Sequence, residues 1–193
     1  MEQFNICLAE EKDVDDIYRL MCVAKAGLVN PDYYEADDRE YVARHIVAEG
    51  FTLIAKYKDL PVAFLMLRYP GMSEDNLIMD MIGLKEGKYV PLLGINAVNL
   101  CADKDAAITD IREKTVHFES AAVLETFRGH GLQKRMIKEA LDILKTKEFR
   151  FYFATVHPEN AASLKSLKEF GFKEIDRLIK YGGMERLLLF RDK

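Results

Sequence analysis

The pattern of apolar and polar positions in the first 68 residues predicts a strand, two helices and a β-hairpin. Residues 13–27 carry apolar side chains at helical spacing with acidic residues in the first turn, and residues 37–49 predict a second helix that ends at a glycine. Residues 5–9 form a short β-rich run before these helices. Two longer β-rich runs, 51–57 and 62–68, flank a turn sequence and predict the hairpin.

The C-terminal pattern is sharper and predicts alternating strands and helices. A strand leads into a helix with an apolar face, then a second strand, a helix that begins at an asparagine, and two final strands. This order predicts an α/β fold with a mixed sheet and a parallel pair of strands at its centre. The predicted strands are 115–123, 149–156, 173–179 and 185–191, and the predicted helices are 131–147 and 160–170.

Residues 69–113 combine a Pro-Gly pair, an acidic run and an apolar stretch without a clear period. No internal repeat or low-complexity linker separates them from the rest of the chain. We therefore expect a single domain, 1–193, with an insertion at 69–113.

Composition excludes several classes of protein. The 193 residues are 49% hydrophobic with a net charge of −4 and no long basic run, so we expect neither a nucleic-acid nor a membrane partner. The three cysteines lie in apolar stretches without metal-site spacing, and the N-terminus lacks the order of a signal peptide. These features predict buried thiols and a cytoplasmic protein that needs no metal.

The run Arg128-Gly129-His130-Gly131-Leu132-Gln133 joins a predicted strand to a predicted helix. Glycines at such a junction allow backbone N–H groups to approach an anion at the positive end of the helix. An ordinary strand-to-helix turn would explain the same glycines. The spacing does not fit a Rossmann fingerprint or a P-loop.

The segment 121–132, Ala-Ala-Val-Leu-Glu-Thr-Phe-Arg-Gly-His-Gly-Leu, resembles the acetyl-CoA-binding segment of the GNAT N-acetyltransferase superfamily. That family carries Arg/Gln-x-x-Gly-x-Gly/Ala after a strand that ends in valine, and this chain departs from it at Gln133. A second resemblance lies in Val-His-Pro-Glu-Asn at 156–160 followed by Lys-Glu-Phe-Gly-Phe at 168–172. Two motifs at this separation are more specific than either alone.

The resemblance implies a GNAT-like fold in which the central parallel strands splay apart and acetyl-CoA lies in the gap. By position, Val123 would offer backbone groups to the pantetheine and thioester, and Asn160 would contact the pantetheine arm. The residues implied in cofactor binding are Val123, Arg128, Gly129, His130, Gly131, Leu132, Gln133, Asn160 and Ser163.

Transfer of an acetyl group to an amine needs a base, and Glu119 and His117 are the candidates. They lie two apart on the strand before the glycine turn, so pleating points both to one face. The alternatives are a salt-bridged strand residue for Glu119 and a satisfied core histidine for His117.

The family commonly places a tyrosine as general acid where this chain has Leu167. Ser163, Ser166, Tyr152 or Tyr181 could take that role, or the thiolate could leave without help. The expected function is acetyl transfer from acetyl-CoA to a small-molecule or peptide amine by direct attack in a ternary complex. The alternative is a catalytically weak CoA-binding sensor, and a homodimer is one assembly open to a chain of this size.

Overall fold

The computed structural model describes residues 4–69, 84–85, 88–89, 114–180 and 183–193. Most of the predicted insertion at 69–113, together with Tyr181, lies outside these ranges. The division of the chain into one domain with an insertion therefore stays a prediction.

Helices and strands follow the predicted order. The strands are β1 (Phe4–Leu8), β2 (Gly50–Tyr57), β3 (Leu60–Arg68), β4 (Leu84–Lys85), β5 (Lys88–Tyr89), β6 (Thr115–Val123), β7 (Phe151–Val156), β8 (Lys173–Lys180) and β9 (Met184–Asp192). The α-helices are α1 (Val14–Ala26), α2 (Arg39–Arg44), α3 (Leu132–Leu144) and α4 (Ala161–Glu169). Short 3₁₀ turns lie at Glu11–Asp13, Pro31–Tyr33 and Glu125–Phe127.

The second predicted helix is the one whose form differs from expectation. Asp38 caps α2 by accepting a hydrogen bond from the Tyr41 backbone N–H at 2.7 Å, but the α-helix ends after 6 residues. It continues as a π-helix over His45–Glu49, a form that is rare and is frequent at functional sites. The following Gly50 has no room for a side chain, because a Cβ would stand 1.9 Å from the Leu67 carbonyl oxygen.

Seven strands of the described residues form one sheet in the order β1-β2-β3-β6-β7-β9-β8. The pair β6 and β7 is parallel and its neighbours are antiparallel, which confirms the mixed sheet with a central parallel pair. One face packs against α1 and α2 through residues such as Ile54, Phe64 and Met66. The other face packs against α3 and α4.

Two irregularities in the centre of the sheet shape the site. The pairing of β6 with β7 runs from Thr115 opposite Phe151 to Phe118 opposite Ala154 and then stops, so the strands splay beyond that point. In the same place the register of β6 on β3 shifts, because Leu67 pairs with Phe118 and Met66 with Ser120. Glu119 is the extra residue of this β-bulge.

The expectation of buried thiols is wrong for one cysteine. Cys22 is exposed on α1 and Cys7 is half-buried, while Cys101 lies outside the described ranges. Leu20, Met21 and Ala24 belong to the buried face of α1, and helical spacing turns Cys22, like its neighbour Val23, away from that face.

No helix in the described part of the chain is long and apolar enough to cross a membrane.

Candidate active site

A cavity of about 450 Å³ opens where β6 and β7 separate. It runs from the turn after β6, past the first turns of α3 and α4, to the end of α1 on the other face of the sheet. The lining residues are Ala24, Leu28, Tyr34, Ala121, Ala122, Val123, Phe127, Arg128, Gly129, Gly131, Leu132, Gln133, Lys134, Asn160, Ala162, Ser163, Lys165 and Ser166. A cavity of this size lies within the usual range of small-molecule and cofactor sites.

The glycine turn has the backbone geometry that an anion site requires. Gly129 and Gly131 have φ angles of 84° and 71°, a region that disfavours other residues, and a Cβ on either would meet no atom within 4 Å. Gly131 is the N-cap of α3, with no side-chain cap and no acidic residue in the first turn of the helix. The N-terminal N–H groups of α3 therefore face the cavity without a competing carboxylate.

Most of the residues implied in cofactor binding lie together on this cavity: Val123, Arg128, Gly129, Gly131, Leu132, Gln133, Asn160 and Ser163. His130 is the exception. Its ring packs edge-on against Phe4 at 5.7 Å, and its Nδ1 is 3.2 Å from the Phe127 and Arg128 carbonyl oxygens. His130 thus supports the shape of the turn from outside.

Contacts among the lining residues fix the two helix ends. The Asn160 side-chain oxygen caps α4 by accepting from the Ser163 backbone N–H at 3.2 Å. Gln133 Nε2 donates to Ser163 Oγ at 3.3 Å, which joins the first turns of α3 and α4. Gln133, the residue that departs from the family pattern, therefore ties the two helices together at the cavity.

Glu119 lies in a buried polar cluster beside the cavity. Its Oε1 accepts from Tyr41 Oη at 2.6 Å and is 2.7 Å from the Arg68 guanidinium. The bulge places Glu119 and Ser120 on the α1/α2 face in succession, where regular pleating would send one of them to the other face. The described β6 residues that line the cavity begin two positions later, at Ala121.

His117 and His45 complete this cluster. His117 is 2% exposed, with its Nδ1 4.0 Å from Glu119 Oε1, so the two predicted residues do share a face. His45 is fully buried, with its Nε2 3.5 Å from Glu119 Oε2. Burial lowers the pKa of His45 to about 4, so this ring is neutral at neutral pH.

A second carboxyl group near Arg68 resists ionisation. Asp37, half-buried in the connection between α1 and α2, has a pKa raised to about 6, mainly by burial and also by Asp38 and Glu35. The positive charge of Arg68 opposes this shift. Asp37, Tyr41, His45 and Arg68 were not predicted as site residues, because they reach Glu119 from distant segments and none belongs to a local motif.

The hydroxyl groups that sequence suggested as an acid have different surroundings. Leu167 itself is 6% exposed and packs in the core between the sheet and α3. Tyr152 is 1% exposed in the same core, whereas Ser163 and Ser166 line the cavity. Tyr181 lies outside the described residues.

The sequence matches the acetyltransferase (GNAT) family over residues 14–172. A search of curated protein sequences finds no match. The fold is similar to that of yncA from Salmonella typhimurium with its cofactor acetyl-CoA, at 15% identity and a TM-score of 0.63, covering 98% of this chain and 93% of that one.

Two further solved structures show the same similarity of fold. The ribosomal-protein-S18-alanine N-acetyltransferase from Escherichia coli aligns at 12% identity and a TM-score of 0.63, covering 98% of this chain and 94% of that one. Naa50 of Arabidopsis thaliana, in complex with the bisubstrate analogue CoA-Ac-MVNAL, aligns at 17% identity and a TM-score of 0.63, covering 97% of each chain.

Proposed function

Because the chain belongs to the GNAT acetyltransferase family, we propose that it transfers an acetyl group from acetyl-CoA to a primary amine by direct attack in a ternary complex. The observation that carries the proposal is the cavity in the splayed sheet, which ends on an uncapped helix N-terminus and two glycines with positive φ. An anionic, elongated ligand matches both the charge preference of that end and the shape of the gap.

In this proposal the turn from Arg128 to Gln133 binds the pyrophosphate and the open edge of β6 binds the pantetheine arm. Beyond Phe118 that edge of β6 has no strand partner in the described chain, so its backbone groups are available to an extended ligand. The Val123 carbonyl oxygen already accepts from Arg128 Nε at 3.3 Å. Asn160 uses its oxygen to cap α4, which leaves its amide N–H groups for the pantetheine.

Glu119 acts as the base, with His117 as the second candidate. The attacking amine must lose a proton, and Glu119 lies on β6 two positions before the part of the strand that lines the cavity. Arg68 and Tyr41 hold this carboxylate in one position. The proton passes from the amine to Glu119 directly or through a water. No covalent enzyme intermediate and no metal are required.

The acceptor belongs to the class of small-molecule or peptide amines. The proteins of similar fold include the ribosomal-protein-S18-alanine N-acetyltransferase and a protein in complex with the bisubstrate analogue CoA-Ac-MVNAL. We propose a cytoplasmic, single-domain protein, and a homodimer is one form it could take.

Ligand-dependent thermal stability tests the cofactor site. A ligand that binds only the folded state stabilises it by RT ln(1 + [L]/Kd), about 2.7 kcal/mol at a hundredfold excess over Kd. We expect CoA to raise the melting temperature of the wild type and Gly131→Asp to abolish that rise, because the carboxylate would repel the pyrophosphate. Gly131→Asn is the matched control, since asparagine has the same shape without the charge and tolerates a positive φ.

The outcomes separate the candidate functions. No shift of the wild type with millimolar CoA would exclude both the enzyme and the CoA-binding sensor. A shift without thiol release from acetyl-CoA across a panel of amines would favour the sensor. Equal shifts for Gly131→Asp and wild type would place the cofactor elsewhere.

A further inference from the structure

The hydroxyl groups of α4 and β7 are poorly placed to assist departure of a thiolate. Ser166 donates its proton to the Ala162 carbonyl oxygen at 2.9 Å, within its own helix. Ser163 accepts from Gln133 and lies at the first turn of α4, close to the glycine turn. Tyr152 is enclosed in the core. The position normally used by the family is occupied by Leu167, which has no proton to donate.

A tyrosine reaches the same cavity from the opposite face of the sheet. Tyr34 follows the 3₁₀ turn at Pro31–Tyr33 and lines the cavity together with Ala24 and Leu28 of the α1 segment. Its Oη lies 2.6 Å from Ser120 Oγ, and Ser120 immediately precedes the β6 residues that line the cavity.

Position along β6 indicates which part of a bound cofactor Tyr34 would meet. The glycine turn follows the C-terminal end of β6, so a pantetheine arm that starts at this turn runs back along the strand towards Ala121. At about 3.3 Å per residue, each β6 position passed moves the arm closer to Ser120 and Tyr34. The reactive sulfur is the far end of that arm.

We propose that Tyr34 donates a hydrogen bond to the sulfur of acetyl-CoA, in place of the phenol that Leu167 does not supply. This role rests on the proposed acetyltransferase function. Serine and tyrosine hydroxyls can each donate and accept, so Ser120 can donate to Tyr34 Oη while the phenol proton points to the sulfur.

The chemistry assigned to Tyr34 is stabilisation of the leaving group. The amine nitrogen bonds to the acetyl carbon and loses a proton to the base, which is Glu119 in the proposed function, directly or through a water. The carbon–sulfur bond breaks and its electron pair goes to sulfur, where the phenol hydrogen bond stabilises the new charge. The thiolate then takes a proton from water. Burial raises the pKa of Tyr34, and the nearby carboxyl groups of Asp37 and Glu119 raise it further, so the phenol stays protonated and able to donate.

The test compares Tyr34→Phe with two variants that differ in what they remove. Ser120→Ala removes the contact of the loop with β6 but leaves the phenol, and Tyr33→Phe removes a neighbouring hydroxyl that donates to Glu159 Oε2 at 3.1 Å. Hydroxylamine serves as the acceptor, because it is largely unprotonated at neutral pH and needs little help from a base. Thiol release from acetyl-CoA is measured after subtraction of the rate without enzyme.

We expect Tyr34→Phe to lower kcat by about 10- to 100-fold, the range for loss of a hydrogen bond to a developing charge. The melting shift with CoA should stay close to that of the wild type, because in the proposed function the glycine turn and the open edge of β6 hold most of the cofactor. Ser120→Ala should lose no more than about threefold in kcat, and Tyr33→Phe should be unchanged. The ratio of wild-type to Tyr34→Phe rates should be constant between about pH 6 and pH 9, because the phenol does not titrate there.

Two results would overturn the role of Tyr34 while leaving the proposed function intact. Equal losses in Ser120→Ala and Tyr34→Phe would show that the contact only holds the loop. Full activity of Tyr34→Phe would show that the phenol is not used. Two results in the wild type would instead contradict the proposed function, and the role of Tyr34 with it: absence of any CoA shift, and a CoA shift without thiol release to hydroxylamine or to any amine of the panel.

Discussion

The cavity at the glycine turn and the Glu119 cluster are adjacent on β6 but are built in opposite ways. The cavity presents backbone groups and glycines to open space, and the N-cap of α3 lacks a side-chain partner. In the cluster, Glu119 is in contact with Arg68, Tyr41 and His45 of its own chain. In the first region the backbone donors are open to a ligand, whereas in the second the carboxylate has its partners within the protein.

This difference has a physical basis in the role that we propose for each region, a pyrophosphate site in the first and a base in the second. A pyrophosphate brings its own charge, so its site needs donors that are still free when the ligand arrives. A buried carboxylate base brings charge into the protein and is stable only with nearby compensation. Arg68 provides that compensation at 2.7 Å.

We expect the largest effect from Glu119→Gln, which tests whether Glu119 is a base or only an ion-pair residue of the cluster. The amide keeps the shape of the side chain but cannot accept the proton of an ammonium substrate, so acetyl transfer at neutral pH should fall by about 10²-fold or more. The loss should shrink at high pH, where more of the amine is already neutral. Initial rates across a pH series, with the CoA melting shift measured in parallel, provide the check.

A matched variant separates the base from its supporting contacts. Tyr41→Phe removes the 2.6 Å hydrogen bond to Glu119 and leaves the carboxylate, so it should reduce the rate far less than Glu119→Gln. Equal activity of Glu119→Gln and wild type at every pH would identify Glu119 as a structural ion-pair residue and turn attention to His117.

Sequence predicted the cavity better than the cluster because the two regions draw on different ranges of the chain. The strand, glycine turn and helix that form the anion end are contiguous, so a local pattern together with its resemblance to the GNAT segment indicates their arrangement. The contacts of Glu119 come from α2, the π-helix and β3. They depend on a β-bulge that no local sequence pattern predicts. Tyr34 was not predicted as a site residue for the same reason, since only the fold brings it to the splayed strands.

The fold order was predictable because apolar spacing in α1, α3 and the strands is regular, and element ends differ by a few residues. The second helix was predictable as a helix but not in its change of form at His45. That change follows from tertiary packing, because His45 is fully buried against Glu119 and next to Gly50. Over about one turn, the spacing of apolar side chains does not distinguish a π-helix from an α-helix.

Leu167→Tyr should have an intermediate effect, and it tests whether a phenol on α4 can act in the cavity. Leu167 packs in the core, so the larger ring should cost about 1 to 3 kcal/mol of unfolding free energy without raising turnover. Denaturant unfolding and acetyl-transfer rates measure the two quantities. A faster enzyme would show that a phenol on α4 can reach the sulfur and that departure of the thiolate limits the wild type.

Asp37→Asn should have the smallest effect. It tests whether the charge of Asp37, like that of Glu119, is compensated by neighbouring groups of the protein. The pKa of Asp37 is about 6 in the folded protein against 3.8 ordinarily, so the unfolded chain releases this proton more readily. Stability is therefore lost as pH rises from about 4 to about 6 and the loss is constant above that. Because Asp37 is only half-buried, we discount the full shift and expect Asp37→Asn to gain about 1 to 2 kcal/mol at pH 7.5 and almost nothing near pH 4.

The measurement is the difference in unfolding free energy between Asp37→Asn and wild type at these two pH values. His45 changes stability in the opposite direction, because its lowered pKa destabilises the folded protein as pH falls from about 6.5 to about 4, but this contribution is present in both proteins and cancels. Asp59→Asn, in the exposed turn of the hairpin, is the control for the removal of one carboxylate. A loss of stability in Asp37→Asn at pH 7.5 would show that Arg68 compensates Asp37 as fully as it does Glu119.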